Sequence, residues 1–409
     1  VYVHGFTYMD SCRVVSSSEE LAKAIEGLGS PGDFSNVELI TNGRFQISKS
    51  LIEYVRSNIG RLRRNAIDAL LGGGYGLTEK QLLLVYEVLK ALDSNEEKAF
   101  IVRGVSGSGK TLIAITLFLE ALARGYKALL TYKNNRLLNT LRVALGQKLS
   151  GLVMFYSTGT QGKYRGVAEK NFPIMKYAPL DLVIYDEAQR MTRENIEISM
   201  RRSKVKVYLY DDEQVLIGYE EGVRENFIDI ALKQDVPYIE YDLPNPVRIP
   251  SSYLEAVRNL LAGREFRPIG IEFRVFDRIE DMIEALKRRY KAGFRVALVC
   301  AFTETPGNKE DRRAPDNLRI GYPLCMKYDR RKHICIQYSD LDTYRNYKDN
   351  IYWLMHERED YPRYWMGELN PLAYCASVYG AQGFEAEYVG VVWGRDLVWR
   401  GKWVVNPQP

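Results

Sequence analysis

The chain is 409 residues long, 46% hydrophobic and 27% charged, which leaves room for two or three domains, each with a sizeable core. No apolar run approaches the roughly 18 residues of a membrane helix, because Leu112-Ile-Ala-Ile-Thr-Leu-Phe-Leu119 is cut by Thr116 and ends at Glu120, so no membrane partner is expected. Five cysteines form no Cys-x-x-Cys pair and three histidines are scattered, which argues against a zinc site or a histidine-based triad and leaves any catalysis to carboxylates, Lys and Arg.

The chain opens at Val1 without a signal peptide, so the expected address is cytoplasmic, with Cys12, Cys300, Cys325, Cys335 and Cys375 as reduced thiols. The net charge of +5 is a weak pointer to nucleic acid, strengthened modestly by clusters such as Arg61-Leu-Arg-Arg64 and Lys327-Tyr-Asp-Arg-Arg-Lys332. The 29 tyrosines offer stacking faces, although core and strand positions account for most of them.

Residues 1–76 carry no assignable motif. Ser18-Glu-Glu-Leu-Ala-Lys-Ala-Ile reads as a capped helix, Val37-Glu-Leu-Ile as a short strand, and Ile47 to Leu71 as one or two amphipathic helices. Leu71-Gly-Gly-Gly-Tyr-Gly76 breaks that pattern and marks the edge of an N-terminal flanking subdomain, through which protein partners could dock. A helix from Gln81 to Ala91 then leads into an apolar strand, Ala99-Phe-Ile-Val102.

Gly104-Val-Ser-Gly-Ser-Gly-Lys110-Thr111, between that strand and a helical segment Leu112 to Ala123, reads as a phosphate-binding P-loop. Gly104, Gly107 and Gly109 let the backbone turn and, with Ser108, aim N–H groups inward at a polyanion. Lys110 can reach the β and γ phosphates of ATP, and the Thr111 hydroxyl can ligate Mg²⁺. Gln81, on the helix ahead of the P-loop strand, is either a helix-surface residue or a reader of adenine through its amide. Strands at Ala128–Tyr132, Val153–Tyr156 and Asp181–Tyr185 come after the P-loop helix, and their alternation with helices predicts an α/β fold with a parallel sheet.

An acidic pair after a strand is either a helix N-cap or hydrolytic machinery. Behind a P-loop, Asp186 is placed to hold Mg²⁺ through water and Glu187 to orient and deprotonate the attacking water. The strand Val205–Tyr210 ends in Asp211-Asp212-Glu213-Gln214, where Gln214 is a candidate sensor of the γ phosphate. Pro244, Pro246 and Pro250 close this first lobe, 77–245, around Arg248. A second lobe, 246–409, is predicted with a strand at Glu272–Phe276, a helix at Ile279–Tyr290 and a strand at Arg295–Phe302. It continues with a polar and aromatic insertion at about 303–372 and further strands at Tyr374–Tyr379 and Tyr388–Trp393.

The P-loop, Asp186-Glu-Ala-Gln189, the strand ending in Asp-Asp-Glu-Gln, and Val378-Tyr-Gly-Ala-Gln-Gly-Phe-Glu-Ala-Glu-Tyr-Val-Gly-Val-Val-Trp-Gly394 together resemble superfamily 1 helicases. The nearest likeness is to the Schlafen-type DNA/RNA helicase domain family, over roughly residues 77–400. The resemblance implies two RecA-like lobes with ATP between them, Gln81 on adenine, and Gln189 and Gln214 as γ-phosphate sensors. It also implies Arg248 as an arginine finger, and Gln382, Gly383 and Glu385 as the link between nucleotide and a single strand of DNA or RNA. Two departures stand out: Asn245-Pro246-Val247 replaces the aromatic residue that usually precedes the Arg, and the family's further motif with a second catalytic Arg is not found before Pro409. The expected activity is an ATP-dependent translocase or helicase on single strands. The alternative is an ATP-binding switch or scaffold with weak hydrolysis. A small-molecule kinase would leave both Asp-Glu-Ala-Gln and Gln-Gly-Phe-Glu without a purpose.

Overall fold

Strands rich in Val, Ile, Leu and Tyr without alternation are suited to a sheet covered on both faces, and that is where they lie. The computed structural model describes residues 51–62, 76–158, 166–177, 179–215, 218–247, 251–266, 272–277, 279–300, 355–381, 386–392, 397–401 and 403–405, with 384 and four two-residue strands at 319–320, 328–329, 334–335 and 351–352. The elements expected in residues 1–50 and the loop 159–165 lie outside them.

In chain order the first part holds α1 (Leu51–Leu62), α2 (Glu79–Asp93), β1 (Lys98–Gly104), α3 (Lys110–Ala123), β2 (Ala128–Tyr132) and α4 (Asn135–Leu145). It continues with β3 (Val153–Phe155), β4 (Leu182–Tyr185), α5 (Arg193–Ser199), β5 (Val205–Tyr210), α6 (Arg224–Lys233) and β6 (Tyr238–Leu243). The six strands form one sheet in the order β3-β2-β4-β5-β1-β6, and every pairing is parallel. The α/β fold expected from the alternation is therefore the fold found.

β2, β4 and β5 are buried at every position, the mark of a parallel sheet with helices on both faces. Even Lys206 within β5 is covered, its ammonium reaching Glu97 Oε1 at 2.9 Å. One face of the sheet is paved with aromatic rings. Tyr185 and Tyr208 are register partners and stack at 5.1 Å, Tyr208 leans on Phe227 of α6 at 4.8 Å, and Tyr156 meets Tyr185 edge-on at 6.2 Å. The Tyr208 hydroxyl shares a hydrogen bond with Ser199 Oγ at 2.7 Å, so a buried phenol keeps a partner.

The second part holds α7 (Ser251–Leu261), α8 (Ile279–Lys291), β7 (Val296–Cys300), α9 (Asp360–Trp365), β8 (Ala376–Ser377) and β9 (Tyr388–Val392), then a hairpin of β10 (Leu397–Trp399) and β11 (Trp403–Val405). β7 is the centre of a three-stranded parallel sheet between β8 and β9. The strand expected at Glu272–Phe276 does not form. Phe273 and Val275 stay exposed, and Glu272 pairs with Arg289 of α8 at 2.7 Å. The strand expected at Tyr374–Tyr379 shrinks to Ala376–Ser377 because a helical turn, Val378–Ala381, comes at once after it.

By its contacts the chain divides into Val1–Ser48 and Lys49–Pro409, and all described residues belong to the second unit. α1, which precedes the glycine-rich break, packs against α4 within that unit. Among the described residues no helix is long and apolar enough to cross a membrane. Cys375 is buried and is not in a disulfide.

Because Phe227 is fully enclosed by Tyr208 and Tyr210, Phe227→Ala should cost roughly 3–5 kcal/mol of folding stability. A urea unfolding midpoint that barely moves would show that the aromatic layer does not carry the sheet.

Candidate functional site

A parallel sheet brings every strand's C-terminus to one edge. β4, β5 and β1 are neighbours, so the segments at their ends, Asp186–Gln189, Asp211–Gln214 and Gly104–Thr111, meet there. The P-loop takes its shape from left-handed backbone at Gly107 (φ 76°) and Gly109 (φ 85°). A Cβ on Gly104 would come within 2.5 Å of Ser108 Oγ, so a side chain there would force Ser108 to move.

Lys110 opens α3 and its ammonium folds back into the loop, donating to the carbonyls of Gly104 (2.7 Å) and Val105 (3.1 Å) and facing Asp211 Oδ2 at 3.5 Å. Thr111 Oγ1 donates to Asp186 Oδ2 at 3.0 Å. Glu187 N donates to Asp186 Oδ1 at 2.9 Å. Glu187 itself adopts left-handed backbone (φ 57°, ψ 39°), an unfavourable conformation for a side-chain-bearing residue, and Tyr156 OH holds its carbonyl at 2.9 Å.

Gln189 ties two of the segments together. Its Nε2 donates to Glu187 Oε2 at 2.7 Å and its Oε1 accepts from Asp211 N at 3.2 Å, with Gln189 and Asp211 out of water. Gln214 Nε2 donates to Asp211 Oδ2 at 2.9 Å. Gln81 is 2% exposed and already engaged at both ends of its amide: Oε1 accepts from Thr78 N at 2.7 Å in the capping box of α2, and Nε2 donates to Ser108 O at 2.7 Å. The structure thus unites Gln81, Gly104, Gly107, Ser108, Gly109, Lys110, Thr111, Asp186, Glu187, Gln189 and Gln214. Arg248, Gln382, Gly383 and Glu385 lie outside the described residues, although the residue before Arg248 touches the loop, Val247 N donating to Gly107 O at 2.9 Å.

Several contributors were given no role of their own by the sequence motifs. Asp211 is buried beside Lys110, and its position directly after an apolar strand was the available signal. Arg190 forms a buried ion pair with Glu220 at 3.0 Å. Gly222 N donates to Gln189 O at 3.2 Å, and a Cβ on Gly222 would run into the Ala188 carbonyl, so only glycine lets this loop seal the acidic box. Nothing local in the sequence marks Glu220 or Gly222.

Burial lifts the carboxyls of Asp186 and Asp211 above their ordinary range, and burial together with the Asp186 charge raises Glu187 to about 7. The adjacent Asp186 and Glu187 carboxyls suit a divalent cation. Ser108 Oγ is buried with no partner, and the loop around it is shaped for a group that accepts hydrogen bonds. The residues therefore fit a nucleoside triphosphate with Mg²⁺, Thr111 and Asp186 offering the hard oxygen ligands. Among the described residues no cluster of three or more His, Cys, Asp or Glu side chains forms a metal cage, and Mg²⁺ shared with substrate phosphates needs none.

Residues 97–409 match the Schlafen group 3, DNA/RNA helicase domain. The chain belongs to that family. As a Schlafen-type helicase domain it is coarsely a nucleotide-dependent, helicase-like protein, and no curated protein matches it. Similar solved structures include Bacteroides Pif1 bound to single-stranded DNA (13% identity, TM-score 0.30, covering 55% of this chain and 53% of that one). Pif1 helicase from Candida albicans (15%, 0.31, 56% and 51%) and AMPPCP-bound DnaA from Aquifex aeolicus (16%, 0.26, 53% and 63%) are also similar. The Schlafen-type domain spans only about half the length of the Pif1 structures it matches.

The raised Glu187 has a measurable consequence. Between the ordinary carboxyl value of 4.5 and about 7 the folded protein holds a proton the unfolded chain has lost, so stability from this group falls as pH rises across that window and is level above it. In metal-free and nucleotide-free protein, urea midpoints from pH 4.5 to 7 should decline less in Glu187→Gln than in the unmodified chain; equal slopes would refute the shift.

Proposed function

We propose that this domain hydrolyses ATP to move along, or unwind, single-stranded DNA or RNA. The observation that supports this best is the meeting of an unpartnered Ser108 hydroxyl, the Lys110 ammonium and the Thr111–Asp186 pair at one sheet edge beside Glu187. ATP with Mg²⁺ supplies the electrophilic phosphorus and the charge neutralisation. Lys110 exchanges its bonds to the Gly104 and Val105 carbonyls for phosphate oxygens. Glu187, held by Gln189 and by its own strained backbone, takes a proton from the attacking water at a carboxylate oxygen. Gln214 reports the γ phosphate by shifting between that group and Asp211.

By family resemblance Arg248 serves as the arginine finger, and Gln382, Gly383 and Glu385 link nucleotide to strand. The division into a flanking segment 1–76, with room for protein partners, a first lobe 77–245 and a second lobe 246–409 belongs to the same reading. We read Gln81 differently from the base reader the motif suggests. With its amide bonded to Thr78 N and Ser108 O, it braces the phosphate loop from behind.

ATP turnover should rise on adding single-stranded DNA or RNA and fall at least about 100-fold in Lys110→Ala and Glu187→Gln; turnover that ignores both polymers refutes the motor. Tight ATP binding with turnover untouched by Glu187→Gln would assign a switch instead. For Gln81→Ala, ATP and GTP turnover should drop by the same factor, whereas loss of discrimination between the two would return Gln81 to the base.

A further inference from the structure

The hairpin β10–β11 carries a cross-strand pair of tryptophans. Trp399 and Trp403 are register partners across the three-residue tip Arg400-Gly401-Lys402, and their rings meet edge-on at 5.4 Å. Opposed residues on adjacent strands share a face. Gly401 takes left-handed backbone (φ 74°), which lets so short a tip close. Trp399 is nevertheless 63% exposed, although a tryptophan is normally drawn into a core. Arg400 is exposed beside it, and residues 395–402 hold Arg395, Arg400 and Lys402 against a single carboxylate, Asp396.

The hairpin also stands in a telling place. It comes after β9 from the C-terminal edge of the second sheet, and β11 packs against α7, where the turn at Gly263 lies under the Trp403 carbonyl. From α7, Arg258 reaches Glu213 at 2.8 Å, and Glu213 is the neighbour of Gln214. A load on the hairpin is therefore three contacts from the turn that faces the phosphate loop.

We infer that the Trp399 face is a stacking platform for a base of single-stranded nucleic acid, with Arg400 on a flanking phosphate. An aromatic plane beside a cation suits a base beside a phosphate, and it is sequence-tolerant because every base has a π face. This rests on the proposed polymer-dependent function and adds a place where the strand is gripped.

The test is binding of fluorescent oligothymidylate and oligouridylate by the full chain and its variants. A stacked base is worth about 1–3 kcal/mol, so Trp399→Ala should weaken binding about 5- to 150-fold. Trp399→Phe should recover most of that loss. Binding should also quench tryptophan emission in the unmodified chain and much less in Trp399→Phe. Arg400→Glu should weaken binding and reduce the slope of affinity against salt by about one. Polymer-free ATP turnover and far-UV circular dichroism should be unchanged in all three, since the hairpin lies outside the nucleotide site. Binding by Trp399→Ala equal to that of the unmodified chain would overturn the platform while leaving the motor reading intact, and would leave a protein surface as the occupant of this face. Failure of the unmodified chain to bind either polymer would overturn both.

Discussion

Lys110 is the charge on which the arrangement turns. Three carboxyls, Asp186, Glu187 and Asp211, are drawn out of water at one sheet edge, and the ammonium beside them is held by two loop carbonyls and by Asp211. Taking so many acids from water is unfavourable, and their raised proton affinities record that cost. A site balanced in this way is unsatisfied by its own atoms, as the unpartnered Ser108 hydroxyl shows, and is ready for a ligand that brings both anionic oxygens and a cation.

Rigidity around that centre comes from a few amides. Gln189 joins the acidic box to the end of β5, Gln81 joins the N-terminus of α2 to the P-loop, and Gln214 rests on Asp211. Each carries no charge and offers both a donor and an acceptor, so it can bridge segments that a carboxylate or an ammonium would pull apart. The loop at Glu220–Gly222 closes over the same box, through the Arg190 ion pair and a backbone approach open only to glycine.

The two parts of the described unit also meet away from the site. α4 leaves the end of β2, and its Arg136 lies over the Tyr361 ring of α9 at 5.3 Å while Asn139 donates to Glu357 O at 3.3 Å. α9 in turn supports the segment that carries the helicase-like motif, through Trp365 Nε1 to Gly380 O at 3.2 Å and the rings of Tyr364 and Trp365 around Phe384. An element inside a stretch that read as a polar insertion is thus a structural support between first-part helix and second-part motif.

The sequence alone determined the α/β fold, the P-loop, the acidic box and the strand-end Gln214, because apolar strands without alternation and glycine spacing are local signals that survive any tertiary context. It also placed β2 and β5 to the residue. What only tertiary structure decided were the contacts between segments far apart in the chain. Gln81 read as a base contact or a surface residue, and nothing near it announces its bond to Ser108; Glu272–Phe276 read as a strand because its local pattern says nothing of the pairing of Glu272 with Arg289. Asp211, Glu220 and Gly222 acquire their roles from the strand order β4-β5-β1, which sets three loops side by side, and pairing order is a property of the whole sheet that no window of sequence encodes.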